Sequence, residues 1–429
     1  MANPDSTQHQ EIPELKDLQR LTRQESLIDW AIILISIGVL IYLFDALIVY
    51  GDFDARIFTA ISLAMAVVIH HRALIGLFSK QKVRVRNLKK TQRVGAYSAQ
   101  EIQDLASELF WPHRHKEIPA IFITKTKFEG AYVLDSLLFN FLRPLNAVYI
   151  SEHIFNLLSL NEIKAILSHE LGHFYHHMRP LNRVRFLLTL LHGTLPIYLS
   201  QILFGTLNAG AFIIWIIFTT YYLRGIQHWF LRVSRSHEYL SDHHAARRFG
   251  VLNFVNALIK VSKHSEIEAL LQQNVLKRVQ EDPRISIKKI KEILQQIEEC
   301  LPKEPATPEQ LKRVIETVFT SEKLPRLDRP MSTAQAQRES EKIDAYIDAF
   351  LYRAEFKMID WQEFDTEIAD GNISKTEYPQ LIECLKRNPE GQLFQTMSDH
   401  AASASQHSHP TVRQRILFLD QCNLPLETI

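Results

Sequence analysis

The chain has 429 residues, enough for two or three domains, and a formal net charge of +1. That balance excludes a global electrostatic pull toward nucleic acid or an acidic partner. Cys300, Cys384 and Cys422 lie far apart and form no C-x-x-C pair, which fits a reducing compartment and a fold without a disulfide framework.

Residues 1–26 read as a polar, mixed-charge tail that lacks the apolar core of a signal peptide. Trp30 to Tyr50 is an apolar run of membrane-spanning length, with Asp45 its only charge. After the acidic link Gly51-Asp52-Phe53-Asp54, a second apolar run extends from Ile57 to Phe78. His70, His71 and Arg72 interrupt it, so it reads as a tilted span with Arg72 reaching back to the surface. The alternative is a buried hairpin of a soluble protein. Residues 27–78 thus form a first transmembrane hairpin. Lys80, Lys82, Arg84, Arg86, Lys89, Lys90 and Arg93 follow with no acidic residue among them. Beside an apolar segment this reads as a cytoplasmic anchor on anionic lipid in preference to a nucleic-acid patch. It places the N-terminus and the next domain on the inner side.

Residues 79–180 read as a soluble α/β piece. Ser98-x-x-Glu101 is a capping-box pattern that predicts a helix over Ala99 to Leu109. Ile118–Thr124 and Ala147–Ser151 are strand-like, rich in β-branched and aromatic residues. A second capping box, Ser159-x-x-Glu162, precedes Ile163, Ile166, Leu167, Leu171 and Phe174 at helical spacing. That helix starts near Leu160 and is expected to end before Pro180.

Residues 181–232 form a second apolar hairpin. Its first arm is Phe186 to Phe204, with Pro196 as a kink, and its second runs from Ala211 to Leu223 or beyond. Residues 233–262 read as one amphipathic helix. Residues 263–400 are charged and mostly helical by pattern, and read as an inserted domain. Within it, Asp370-Gly371-Asn372-Ile373-Ser374 with Glu377 resembles the second half of an EF-hand loop. Thr366 and Ile368 fill the first two ligand positions and offer no carboxylate, so a plain helix-turn-helix is preferred. Residues 401–429 return to the catalytic domain.

The chemistry centres on His169-Glu170-Leu171-Gly172-His173. On a helix, His169 and His173 share a face and can aim two imidazoles at one metal ion, with Glu170 beside them to act on a water. A polar helix face is the alternative, so a third ligand matters. His177 lies eight residues after His169, roughly 12 Å along a straight helix, too far for bonds of about 2 Å. The residues at His176 and Arg179 exclude the metzincin pattern. A carboxylate from the helix after the second hairpin remains. Glu238 and Asp242 are four apart and share a face. Glu238 can complete a His2Glu site with a fourth position left open, and Asp242 can accept the second ring N–H of a ligand histidine. His237, His243 and His244 are rival ligands, ranked behind Glu238 because Asp242 gives it a supporting neighbour. A solvated acidic face is the other alternative, against which Leu240, Ala245 and Ala246 call for close packing.

Three features together resemble the membrane gluzincin zinc metallopeptidases of the HtpX-like and CAAX-prenyl-protease family. They are H-E-L-G-H at His169–His173, the E-x-x-x-D of Glu238–Asp242 followed by Ala-Ala, and the late Ser408-His409-Pro410 with Arg415-Ile416. The resemblance covers residues from about 118 to 250 and the last 25 or so, and leaves the insert unaccounted for. It implies a fold that is mainly α with a small β-sheet, an α+β zincin-like catalytic domain on about four transmembrane helices in two hairpins. It implies one Zn2+ per chain held by His169, His173 and Glu238, with Asp242 behind them. Glu170 would move the proton from the attacking water to the leaving amine, and His409 would help hold the oxyanion. The strand Ala147–Ser151 resembles the edge strand that pairs with an extended substrate. The activity implied is zinc-dependent endopeptidase action on membrane or misfolded proteins. The chain would be an integral membrane protein, with a bacterial inner membrane favoured and the catalytic domain facing the cytoplasm. Partners are a protein or peptide substrate and the lipid bilayer, with no nucleic acid; the sequence leaves the oligomeric state open. The competing readings are a membrane-tethered interaction protein with an idle zinc site and a metallohydrolase acting on a non-peptide substrate.

Overall fold

The computed structural model describes residues 12–51, 53–70, 82–110, 119–124, 131–135, 146–204, 234–262, 364, 366–367, 371–388, 393 and 410–427. Helix α1 (Leu15–Phe44) begins inside the stretch expected to be a polar tail and ends in a π-turn, Asp45–Val49. Helix α2 (Phe53–His70) turns back from it. Among the described residues two helices are long and apolar enough to cross a membrane, Leu15–Val49 and Phe186–Leu203. The expected count was four. The run 57–78 is represented by α2 as far as His70, and residues 71–78 and 211–231 lie outside the described residues.

The basic run is partly built into the fold. Lys82–Arg84 forms strand β1 and Val85–Asn87 a 3-10 turn. A short hairpin follows, β2 (Arg93–Val94) and β3 (Tyr97–Ser98), turning through Gly95 at φ 59°. A Cβ there would lie 2.7 Å from the carbonyl of Phe155, so glycine is required twice over. Helix α3 (Ala99–Phe110) starts where its capping box predicts, with Ser98 N–H donating to Glu101 at 2.7 Å.

Strands β4 (Ala120–Thr124), β5 (Ala131–Asp135) and β6 (Asn146–Ser151) join β1 in a four-stranded sheet of order β1-β4-β6-β5. Strand β6 is parallel to β4, with Ile121 opposite Val148, and antiparallel to β5, with Val133 opposite Val148. The strand expected at the edge, Ala147–Ser151, is therefore interior. The edge on that side is β5, which packs against the helix that carries the histidines. One sheet face, Ile121, Ile123, Val133, Val148 and Ile150, enters the main core. The other carries Phe122, Tyr149 and Tyr132, stacked at 5.3 and 5.1 Å between centroids.

After a single turn, α4 (Ile154–Leu157), comes α5 (Leu160–Gly172), opened by the predicted capping box. Glu162 also accepts from Lys260 Nζ at 2.7 Å, and both side chains are buried. The helix does not stop before Pro180. A π-turn, His173–His177, leads into α6 (Met178–Phe204). Pro180 falls in the first turn of α6, where its missing N–H is tolerated. Helix α6 packs on both α1 and α2. Leu40 meets Leu190 and Leu47 meets Ile197, so α1 and α6 run in the same direction. The Tyr42 and Tyr198 hydroxyls pair at 2.5 Å, and Gly193 allows Ser62 of α2 to come close.

The stretch expected as one helix is two, α7 (residues 234–249) and α8 (Val251–Ser262), broken at Gly250. Gly250 has φ 84°, and a Cβ would strike the backbone of Leu426 and Glu427 at 2.8 to 2.9 Å. The C-terminal segment needs that space. Its Pro425 and Leu426 carbonyls accept from Val251 and Leu252 N–H at 3.1 and 2.9 Å, satisfying the open amides of α8. Helices α9 (Tyr378–Arg387) and α10 (Val412–Gln421) complete the described chain. Ile373, Leu381, Leu385 and Leu393 belong to the main core, so this part of the stretch expected as an insert packs into the same core as α5. The EF-hand-like residues hold themselves closed. Glu377 accepts the N–H groups of Thr366, Glu367 and Ser374 at 2.6 to 2.8 Å. Burial works against its charge, but these donors outweigh that and hold the carboxyl at about 2. Its oxygens are committed to amides, while Ile368 and Asp370 of the EF-hand-like stretch lie outside the described residues.

Candidate metal centre

The structure brings His169, His173 and Glu238 together. One ligand atom from each lies within 4.8 Å of the others, the one such group found among the described residues. The rival histidines His237, His243 and His244 are not in it. His169 and His173 face each other across one turn at the end of α5, with Nε2 atoms 3.1 Å apart and rings at 88°. Glu238 enters from α7, with its carboxylate oxygens 3.4 Å from His169 Nε2 and 3.1 Å from His173 Nε2.

The other ring nitrogens are both engaged. His169 Nδ1 lies 2.8 Å from Asp242 Oδ1, and His173 Nδ1 lies 3.2 Å from Ser241 Oγ. With both Nδ1 atoms so engaged, the two Nε2 atoms face one another and a carboxylate. Two imidazoles and one carboxylate are a donor set that suits Zn2+. The site's field agrees. In the metal-free chain, burial opposes the charged form of His169, yet hydrogen bonds and charge from Asp242 and Glu238 prevail and push it up to about 9, so the surroundings favour positive charge at this point. Glu170 is held above the usual carboxylate range, first by burial and further by Glu238, while His169, His173 and Arg415 pull the other way. Its carboxylate thus senses His169, His173, Glu238 and Arg415 without being a member of the ligand group.

Helices α5 and α7 meet at Gly172. A Cβ there would lie 3.1 Å from both the Cα and Oγ of Ser241. Alanine is the better helix former by roughly 1 kcal/mol, but that contact is backbone and must displace α7. Gly172→Ala is expected to lengthen the Ser241–His173 hydrogen bond and shift Glu238 and Asp242 with it. Since loss of a partner behind a ligand costs roughly 10–100-fold in metal affinity, metal binding should weaken by at least about tenfold while circular dichroism stays unchanged. Undiminished metal binding in the folded variant would show that this contact does not set the site.

Asp242 lies between His169 and a partner the sequence did not reveal. Arg415 of α10 donates Nε–H to Asp242 Oδ2 at 2.8 Å and Nη2–H to Oδ1. Phe254 of α8 stacks on His169 at 5.7 Å and lies under the Arg415 guanidinium at 5.6 Å. Ser241 and Phe254 carried no sequence signal. Arg415 stood inside the late motif, but nothing there named its partner. His409 lies outside the described residues.

A helix-borne histidine pair, a glutamate between them in sequence and a second-helix glutamate opposite fit a metallopeptidase of the H-E-x-x-H type. The chain belongs to peptidase family M48, whose family model matches residues 96–422. The match runs from the β2–β3 hairpin to the end of α10, so the insert falls inside it and both α1 and α2 precede it. No curated protein and no solved structure matches the chain.

Proposed function

We propose that this chain is a membrane-bound zinc-dependent endopeptidase that cleaves membrane or misfolded proteins. The observation that carries the reading is the convergence of His169, His173 and Glu238 with both Nδ1 atoms already committed. His169 and His173 give two neutral Nε2 donors, and Glu238 gives the third ligand and a negative charge. When bound, Zn2+ supplies a Lewis acid for the scissile carbonyl and makes a water acidic near neutral pH. Glu170 takes the proton as general base and returns it to the leaving amine, a role suited to a carboxylate whose pKa is raised. Asp242 fixes the tautomer of His169. The edge strand β5, lying against α5, offers its open side to an extended substrate backbone. His409 is assigned to the carbonyl oxygen on the family resemblance alone.

The membrane reading rests on the two long apolar helices and on broad exposed apolar surface along α1, including Leu27, Leu34, Ile35 and Ile41. The site sits at the N-terminal end of α6, the same end as the start of α1. We assign that end to the cytoplasmic side of a bacterial inner membrane, following the basic run. The test is metal analysis of the full chain in detergent, together with digestion of casein. One zinc per chain is expected, with cleavage abolished by a chelator and restored by Zn2+. Cleavage indifferent to chelation, or stoichiometric zinc without cleavage of any unfolded protein, would overturn the reading.

A further inference from the structure

We infer that Arg415 is a positioning residue of the metal site, which makes the C-terminal helix α10 a working part of that site; this rests on the zinc reading above. The guanidinium grips Asp242 through two hydrogen bonds, one to each oxygen. This fork fixes the plane of the carboxylate and so the direction of the Oδ1 lone pair that receives His169 Nδ1–H. A single contact would leave the carboxylate free to rotate.

Two further contacts tie Arg415 to the site. Its Nη2 lies 3.9 Å from Glu238 Oε2, a proposed ligand atom. Its guanidinium lies over Phe254, which itself stacks on His169. Thus the two neighbours that fix the His169 ring, Asp242 by hydrogen bond and Phe254 by stacking, are both held by one side chain. Arg415 also faces three carboxylates, Asp242, Glu238 and Glu170, and is the permanent cation among them. Helix α10 is rigid enough to hold it. The Thr411 capping box fixes its start, Ile416 and Phe418 are fully buried, and Phe418 packs on Tyr239 of α7 at 4.8 Å.

The test is zinc affinity, read by competition with a chromophoric chelator on the folded full chain, with the absorption spectrum of the Co2+-substituted protein alongside. Arg415→Met is expected to weaken zinc binding about 10- to 100-fold, as loss of a partner behind a ligand does. It should perturb the Co2+ bands and lower kcat more than it raises KM. Arg415→Lys keeps the charge but not the fork, and should recover only part of the affinity. Should Arg415→Met fail to fold, Arg415→Lys carries the same comparison. Wild-type affinity and an unchanged Co2+ spectrum in a folded variant, even one with a lowered Tm, would reduce Arg415 to a structural ion pair and overturn the inference. If the wild-type chain binds no zinc, the functional reading fails instead, so the two failures are distinct.

Discussion

Glu170→Gln is expected to leave zinc bound and stop cleavage. The substitution keeps the size and planarity of the side chain and removes only its ability to take a proton. Glu170 is not one of the three residues whose ligand atoms converge, so metal content should stay near one per chain. What it loses is general base catalysis, worth roughly 10²–10⁴ in rate, and the return of that proton to the leaving amine depends on the same carboxylate. A fall in kcat/KM of about a thousandfold or more is therefore expected, with substrate still bound. Burial raises the Glu170 pKa, and Glu238 adds to the shift. The measurement pairs metal analysis with single-turnover digestion. Undiminished cleavage by the zinc-loaded variant would remove Glu170 from the chemistry, whereas joint loss of zinc and cleavage would make it a ligand or a folding residue.

What the sequence revealed about the site was local. The capping box of Ser159 and Glu162 lies within four consecutive residues and fixes where α5 starts, and that start sets which face His169 and His173 share. Glu238 and Asp242 were legible for the same reason, because a spacing of four on a helix needs no knowledge of the rest of the chain. Properties set by distant partners were not legible. Whether a strand is interior or at an edge depends on what pairs with it. Ala147–Ser151 is interior because Ala131–Asp135, a run that the sequence pattern did not single out, takes the position beyond it. The break at Gly250 exists because the last residues of the chain supply carbonyls to Val251 and Leu252. Arg415 reaches Asp242 across 173 positions. The continuation through Pro180 turns on a π-turn that begins at His173 itself, and no local periodicity announces such a turn. Hence His169, His173, Glu238 and Asp242 could be read from spacing, and the distant residues packed behind them, Ser241, Phe254 and Arg415, could not.

Lys260→Met is expected to be the most destabilising single change away from the metal. Lys260 and Glu162 are 8% and 3% exposed, and their charges meet at 2.7 Å between α8 and the first turn of α5. Methionine keeps most of the stem's packing but leaves the Glu162 carboxylate buried without its cation. Removing one member of a buried pair costs about 3–5 kcal/mol. The capping bond from Ser159 N–H to Glu162 Oε2 remains at 2.7 Å and satisfies only one of the two oxygens. Glu162→Gln alone should cost less, because the amide oxygen can still accept from Ser159. The double variant, Glu162→Gln with Lys260→Met, removes both charges while keeping the cap, and should recover much of the loss. A double-mutant cycle by chemical denaturation in detergent therefore should show a coupling of about 2 kcal/mol or more. The pair clamps α5 at the end opposite His169 and His173, remote from the metal site. Zinc affinity in the folded fraction of Lys260→Met should consequently stay near wild type while global stability falls. Additive losses in the cycle would show that Lys260 and Glu162 stabilise the fold independently, and that their contact is incidental to it.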